Sequence, residues 1–183
     1  LKNVKTISEN KKPEEIIYLS FVELERIENL KTLSPYLENV RNWLLLGCYL
    51  GQRGSDLMRV NKNMIKEIKG INIIELQQEK TAKLMAIPLL PKALHILKTK
   101  ALHPISLQKF NDYVKIICKL AGIDTPTQGK KINPETGKMT KGIYPKYELI
   151  SSHVCRRSFA SNFYGDIPTP VLINITGHSS ESM

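Results

Sequence analysis

No apolar run in this sequence approaches the ~18 residues a membrane-spanning helix needs, so nothing in it reads as a helical span. Cysteine is scarce: Cys48, Cys118 and Cys155 make an odd count at unpaired spacings. That excludes a disulfide framework and points to a reducing, cytoplasmic location. Cys48 and Cys118 fall in apolar helical stretches and read as small core residues. The four histidines and the cysteines lack metal-ligand spacing, so no metal site is expected, and no cofactor either. The N-terminus, Leu1-Lys2-Asn3-Val4, has neither a starting methionine nor the apolar core of a signal peptide. A segment of a longer protein is therefore expected. No internal repeat is evident.

Acidic residues are also few, 17 Asp+Glu against 27 Lys+Arg, for a formal net charge of +10. Such a surplus favours a polyanionic partner, because neutralised phosphates release their counterions. With 183 residues and a hydrophobic fraction of 42%, the chain is long enough to bury the core of one domain.

Residues 1–19 are rich in Lys, Glu and Asn and read as an extended lead-in. Ser20-Phe21-Val22-Glu23 is a capping box, and Phe21, Leu24, Ile27 and Leu30 follow at helical spacing. Pro35 is expected to break this pattern, a second apolar helix running from Leu37 to Leu50. Gly51 ends that helix, and Ser55 is placed to cap a short one from Asp56 to Val60. The period then changes. Met64–Ile68, Ile71–Leu76 and Leu84–Pro88, separated by Lys69-Gly70 and a polar turn, predict a three-stranded antiparallel meander. Lys80 falls at the tip of its second hairpin. Helices follow at Leu90–Lys100 and Ser106–Ala121. Residues 124–147, rich in Pro, Gly, Thr and Lys, read as a loop or a short irregular hairpin. A helix capped by Ser151 or Ser152 reaches Phe163, and another starts at Thr169-Pro170 and stops at Gly177. The expected fold is α+β, mostly helical with one small three-stranded sheet.

Five basic side chains stand out. Arg53 lies in Gly51-Gln52-Arg53-Gly54-Ser55-Asp56-Leu57, Lys80 in Glu79-Lys80-Thr81, His153 and Arg156 in Ser152-His153-Val154-Cys155-Arg156-Arg157-Ser158-Phe159-Ala160, and His178 in Thr176-Gly177-His178. His153 and Arg156, three apart, share a helix face. Arg53 is expected beside a helix N-terminus that also favours an anion, with Asp56 there either to orient the arginine or simply to favour the helix dipole. Two arginines can clamp the non-bridging oxygens of a phosphodiester, because the guanidinium fork matches them and stays charged. A hairpin lysine can protonate a leaving oxygen, and histidines can move protons near neutrality.

The order Arg, Lys, His-x-x-Arg, Gly-His resembles the tyrosine recombinase (phage-type integrase) family over residues 15–183. The resemblance implies a DNA breaking-rejoining catalytic domain at 20–183, with 1–19 leading in from an absent core-binding domain. It implies catalytic roles for Arg53, Lys80, His153, Arg156 and His178, and a nucleophilic tyrosine one short helix after His178. That position lies past Met183, so the polypeptide as given is expected to hold a phosphodiester and not cleave it. Tyr164 precedes His178 and is expected to be a core or groove aromatic. A Cys155–His153 dyad is disfavoured, since side chains two apart on a helix diverge. Double-stranded DNA is the implied partner, with a homotetramer on DNA in the full protein. A type IB topoisomerase-like domain and a non-cleaving, integrase-derived DNA-binding module are the alternatives. Lys83, Lys130, Lys131, Lys138, Lys141 and Arg157, with Lys146 nearby, are candidates for backbone-phosphate contacts.

Neutralising any one of these lysines that meets a phosphate should lower the salt slope of duplex binding by about 1. Fluorescence anisotropy across a salt series measures this; an unchanged slope returns that lysine to the solvated surface.

Overall fold

The computed structural model describes residues 16–80 and 82–177. Seven helices and two small antiparallel sheets are described. Helix α1 (Phe21–Glu28) begins at the expected capping box: Glu23 N–H donates to Ser20 Oγ and Ser20 N–H to Glu23 Oε2. Helix α2 (Pro35–Leu50) starts earlier than the sequence suggested. Ser34 caps it and Pro35 occupies its first turn, where the missing N–H costs nothing. The second half of α2, from Trp43 to Leu50, is apolar all round, with Trp43, Leu44, Leu45, Leu46, Cys48 and Leu50 buried; its polar residues Glu38, Asn39, Arg41 and Asn42 lie in the first half. A stretch with no polar stripe belongs in the interior, and α2 packs against α1, α4 (Pro91–Thr99), α5 (Leu107–Leu120) and α6 (His153–Asn162).

The approach of α6 to α2 is very close. A Cβ on Gly47 would sit 2.6 Å from Cys155 Sγ and 2.6 Å from Leu57 Cδ2. One turn further on, Gly51 ends α2 in the left-handed region (φ 71) against the Phe159 ring. The short helix α3 (Gly54–Leu57) follows at once, with Arg53 itself at the N-cap position. Ser55 therefore lies inside α3 and does not cap it, a correction that comes from the tight turn at Gly51.

The sheet has the predicted order, β1 (Ile65–Ile68), β2 (Ile71–Gln77), β3 (Leu84–Pro88), antiparallel throughout. Its inner face, Ile74, Leu76, Met85 and Ile87, joins the helical core. Of the loop and the short irregular hairpin expected for residues 124–147, the hairpin is found, but as a longer and regular ribbon: β4 (Pro126–Ile132) pairs with β5 (Met139–Pro145) over seven residues each. Gly129 lets this ribbon lie on Leu149. Lys130 stands directly opposite Lys141. Helix α6 lacks the expected serine cap; instead Ser152 N–H donates to Asn111 Oδ1 on α5 at 2.7 Å. Helix α7 (Thr169–Thr176) ends at Gly177 in the left-handed region. The end of the lead-in is tied down, with Leu19 fully buried, its N–H on Ser158 Oγ and its carbonyl on Asn162.

Gly47→Ala should destabilise the domain by about 1–3 kcal/mol through overpacking, or roughly 2–4 °C in Tm for each kcal/mol. Scanning calorimetry tests this, and an unchanged Tm would mean that α6 yields without cost.

Candidate phosphate-binding site

Arg53 is half-buried between α2 and α3, and its Nη1 donates to Gln78 Oε1 at 3.1 Å. Helix α3 has only four residues, so its dipole adds little to the site, and the guanidinium charge supplies the field. Gly54, next in sequence, lies so close to α6 that a Cβ there would be 2.8 Å from Ser152 Cβ. This contact sets the Arg53 turn beside the start of α6.

Arg156 comes from the second turn of α6 and is only 7% exposed. Burial, and then the nearby charge of Arg53, push its pKa down to about 10, while Asp56 acts in the opposite direction. It remains a cation at neutral pH. The two arginines thus come from separate elements and lie within each other's field. His153, the first residue of α6, is exposed. Its pKa is lowered by burial of part of the ring, then by Arg157, Arg156 and Arg53. Arg156 points inward and His153 outward, so their three-residue spacing gives them a common end of the helix but different depths.

Asp56 is the buried acid of the group, 0% exposed. Its Oδ1 accepts from Arg59 Nη2 at 2.6 Å and from Glu79 N–H at 2.9 Å. Among the described residues its Oδ2 has no hydrogen-bond partner. Asp56 therefore ties α3 to the β2–β3 hairpin and to Arg59; of the two roles open to it from the sequence, a hydrogen bond that orients Arg53 is not seen among the described residues. Arg59 continues the tie by donating to the Gln77 carbonyl at 2.6 Å.

The hairpin closes where Gln78 N–H donates to the Lys83 carbonyl at 2.9 Å. Lys80, on its turn, is exposed and makes no hydrogen bond or ion pair with the described residues. Lys83 is engaged, its Nζ on Asn174 Oδ1 of α7 at 3.0 Å. Gln52, fully buried, holds the same helix by donating to the Ile175 carbonyl at 2.8 Å. His178, beyond Gly177, lies outside the described residues. The structure thus brings Arg53, Arg156 and His153 together and anchors the base of the Lys80 turn beside them.

The remaining candidates lie apart. Arg157 is exposed on α6, and Lys138 is exposed at the end of the ribbon. Lys130 and Lys141 are opposite each other on its outer side. Lys131 pairs with Glu148 and lies 5.2 Å from the Tyr144 ring centroid. Lys146 is a correction: its ammonium pairs with Glu23 at 2.7 Å, with 16% of the side chain exposed. Cys155 is fully buried, and its thiol is raised well above the usual range by a hydrogen bond with Cys48 and by burial. The Cys155–His153 dyad is thereby excluded.

All seven tyrosines are described. Tyr18 lies under Lys146, Tyr36 against Tyr113, Tyr49 against Phe163, Tyr144 under Lys131 and Tyr147 under Lys119. Tyr164 is 67% exposed in the turn after α6, which removes the core alternative of the core-or-groove expectation. Gln78, Gln52, Asn111 and Asn174 were not marked by the sequence; each acts across the chain at a spacing no local pattern encodes.

No protein-family model matches the chain, and no curated protein matches it by sequence. Solved structures do resemble it. A lambda integrase (75–356) dimer bound to a COC' core site superposes with TM-score 0.61 at 20% identity, over 96% of this chain and 62% of that one. The XerH site-specific recombinase, in a post-cleavage complex with palindromic difH substrate, gives 0.59 and 16%, over 89% and 46%. The lambda integrase catalytic core gives 0.59 and 19%, over 91% and 95%. The chain thus spans between 46% and 62% of the longer recombinases but matches nearly all of the isolated core. Its fold is that of a tyrosine recombinase catalytic domain.

Because its pKa is lowered, His153 should titrate below 6.5 in an NMR pH series. The folded state then binds fewer protons than the unfolded one just below pH 6.5, so stability falls as pH drops from 6.5 towards the folded midpoint. Removing a neighbouring cation, in Arg157→Ala or Arg53→Ala, should raise the midpoint. No movement in either variant would place His153 outside the arginines' field.

Proposed function

We propose that this chain is the catalytic domain of a site-specific DNA recombinase, acting on a phosphodiester of double-stranded DNA. The observation that carries the reading is a buried Arg156 lying in the field of Arg53 from another element, with the nearby carboxylate Asp56 bonded to Arg59 and the hairpin. Two guanidinium groups in one field repel each other, and a bound anion removes that repulsion. A phosphodiester supplies one charge and two non-bridging oxygens to accept from them.

In this reading Arg53 and Arg156 hold the non-bridging oxygens and stabilise the charge that builds there as phosphorus is attacked. Lys80, exposed on its hairpin, protonates the leaving 5′ oxygen. His153 is biased towards its neutral form, which suits it to accept a proton at pH 7. His178 is assigned a hydrogen bond to the same phosphate. The attacking hydroxyl in this reading is that of a tyrosine one short helix after His178. The product is a 3′-phosphotyrosyl link, resealed by the 5′ hydroxyl of a partner strand. Lys130, Lys138, Lys141 and Arg157 contribute contacts to backbone phosphates, and the full protein assembles as a tetramer on DNA. The domain works in the cytoplasm.

With the parent protein extended past Met183, a nicked suicide duplex should trap a covalent adduct visible on a denaturing gel. Arg156→Ala should abolish the adduct, a loss of 10²-fold or more for an electrostatic group at the reacting phosphate, and leave duplex binding largely intact. Tight binding with no adduct from the unsubstituted protein would favour a non-cleaving DNA-binding module. Wild-type cleavage by Arg156→Ala would refute its role.

A further inference from the structure

Gln78 meets Arg53, the Lys80 hairpin and the end of α7 at one buried point. It is 1% exposed. Its Oε1 accepts from Arg53 Nη1 at 3.1 Å. Its backbone N–H closes the hairpin on Lys83, and its neighbour Glu79 is held by Asp56. Its amide lies against Gly177, where a Cβ would be 2.8 Å from Nε2 and 3.1 Å from Oε1. Neither end of this side chain can move without disturbing a partner.

The chemistry of the contact is specific. An arginine side chain carries rotamer entropy that an anion must otherwise overcome on binding. A fixed acceptor on Nη1 orders the guanidinium beforehand and leaves its other N–H groups for ligand. A carboxylate in that position would order Arg53 equally well but cancel its charge. A neutral amide orders it and keeps the charge.

We propose that Gln78 is a positioning residue of the phosphate site, a buried neutral acceptor that orients Arg53 and registers the Lys80 hairpin to it. The inference rests on the phosphate-binding reading above.

Inorganic sulfate is a suitable probe, being tetrahedral, anionic and non-titrating near neutrality. Its affinity for the 183-residue chain is read from the Nε–Hε NMR signals of Arg53 and Arg156. Gln78→Met keeps the volume against Gly177 and removes the acceptor; it should weaken sulfate binding about three- to tenfold, the worth of one hydrogen bond. In an Arg53→Ala background, Gln78→Met should cost nothing further, because its effect passes through Arg53. Gln78→Glu should bind sulfate more weakly than Gln78→Met at pH 7 and recover as the new carboxylate protonates.

An equal loss from Gln78→Met with and without Arg53 overturns the inference in favour of plain packing. Wild-type affinity in Gln78→Met overturns it outright. Should Gln78→Met not fold, Gln78→Glu decides alone, and wild-type affinity in that variant at pH 7 rejects the inference. Sulfate binding unaffected by Arg156→Ala defeats the phosphate-site reading itself, and with it the inference. Binding lost in Arg156→Ala but intact in Gln78→Met defeats the Gln78 inference alone.

Discussion

The contact of α6 with α2 at Gly47 and Gly51 governs everything else in this domain. Gly47 leaves room for Cys155, and Gly51 turns the chain under Phe159. Arg53 therefore leaves the end of one helix beside the start of another, and Arg156 comes in from the second. The arginines are far apart in sequence, yet their separation is set by a core packing distance that side-chain rearrangement cannot relax. Larger residues at either glycine would move the charges as well as loosen the core.

The second constraint is electrostatic. Arg59 and Arg156 both feel a single buried carboxylate, Asp56, which bonds Arg59 and the hairpin backbone, while Arg53 adds a further positive charge beside Arg156. The protein tolerates this surplus because the surrounding elements are fixed by neutral contacts: Gln52 on α7, Gln78 on Arg53, and Asn111 at the start of α6. Amides suit this work, because they satisfy hydrogen bonds without altering the local charge. The cost of holding like charges together falls on the folded protein, and a bound anion offsets it.

Local signals in the sequence were readable because local physics decides them. The capping box at Ser20, the hairpin turns of β1–β3 and the glycine stop at Gly177 all depend on neighbours within a few residues. Pro35 was misjudged because a proline that ends one pattern can equally open the next. The β4–β5 ribbon was read as irregular because its residues are polar and glycine-rich; its pairing rests on backbone bonds and on Leu149. Arg53, Lys80, His153 and Arg156 were legible as types and spacing. Their division into a buried arginine, an exposed histidine and an anchored but exposed lysine was not, since depth is set by tertiary packing. The polar partners were invisible for the same reason, and Gln78 looked like any other strand-end glutamine.

Glu23 accepts the backbone N–H of Ser20 and, with both oxygens, the Lys146 ammonium from a distant part of the sequence. Both side chains are nearly enclosed. Replacing either one alone would strand its partner's charge away from water, so neither position is free to drift by itself. Descendants of this sequence should keep the pair together or lose it through a coordinated double change. Among homologues, the start of α1 and the end of the ribbon would then carry a joint evolutionary record although 123 positions separate them.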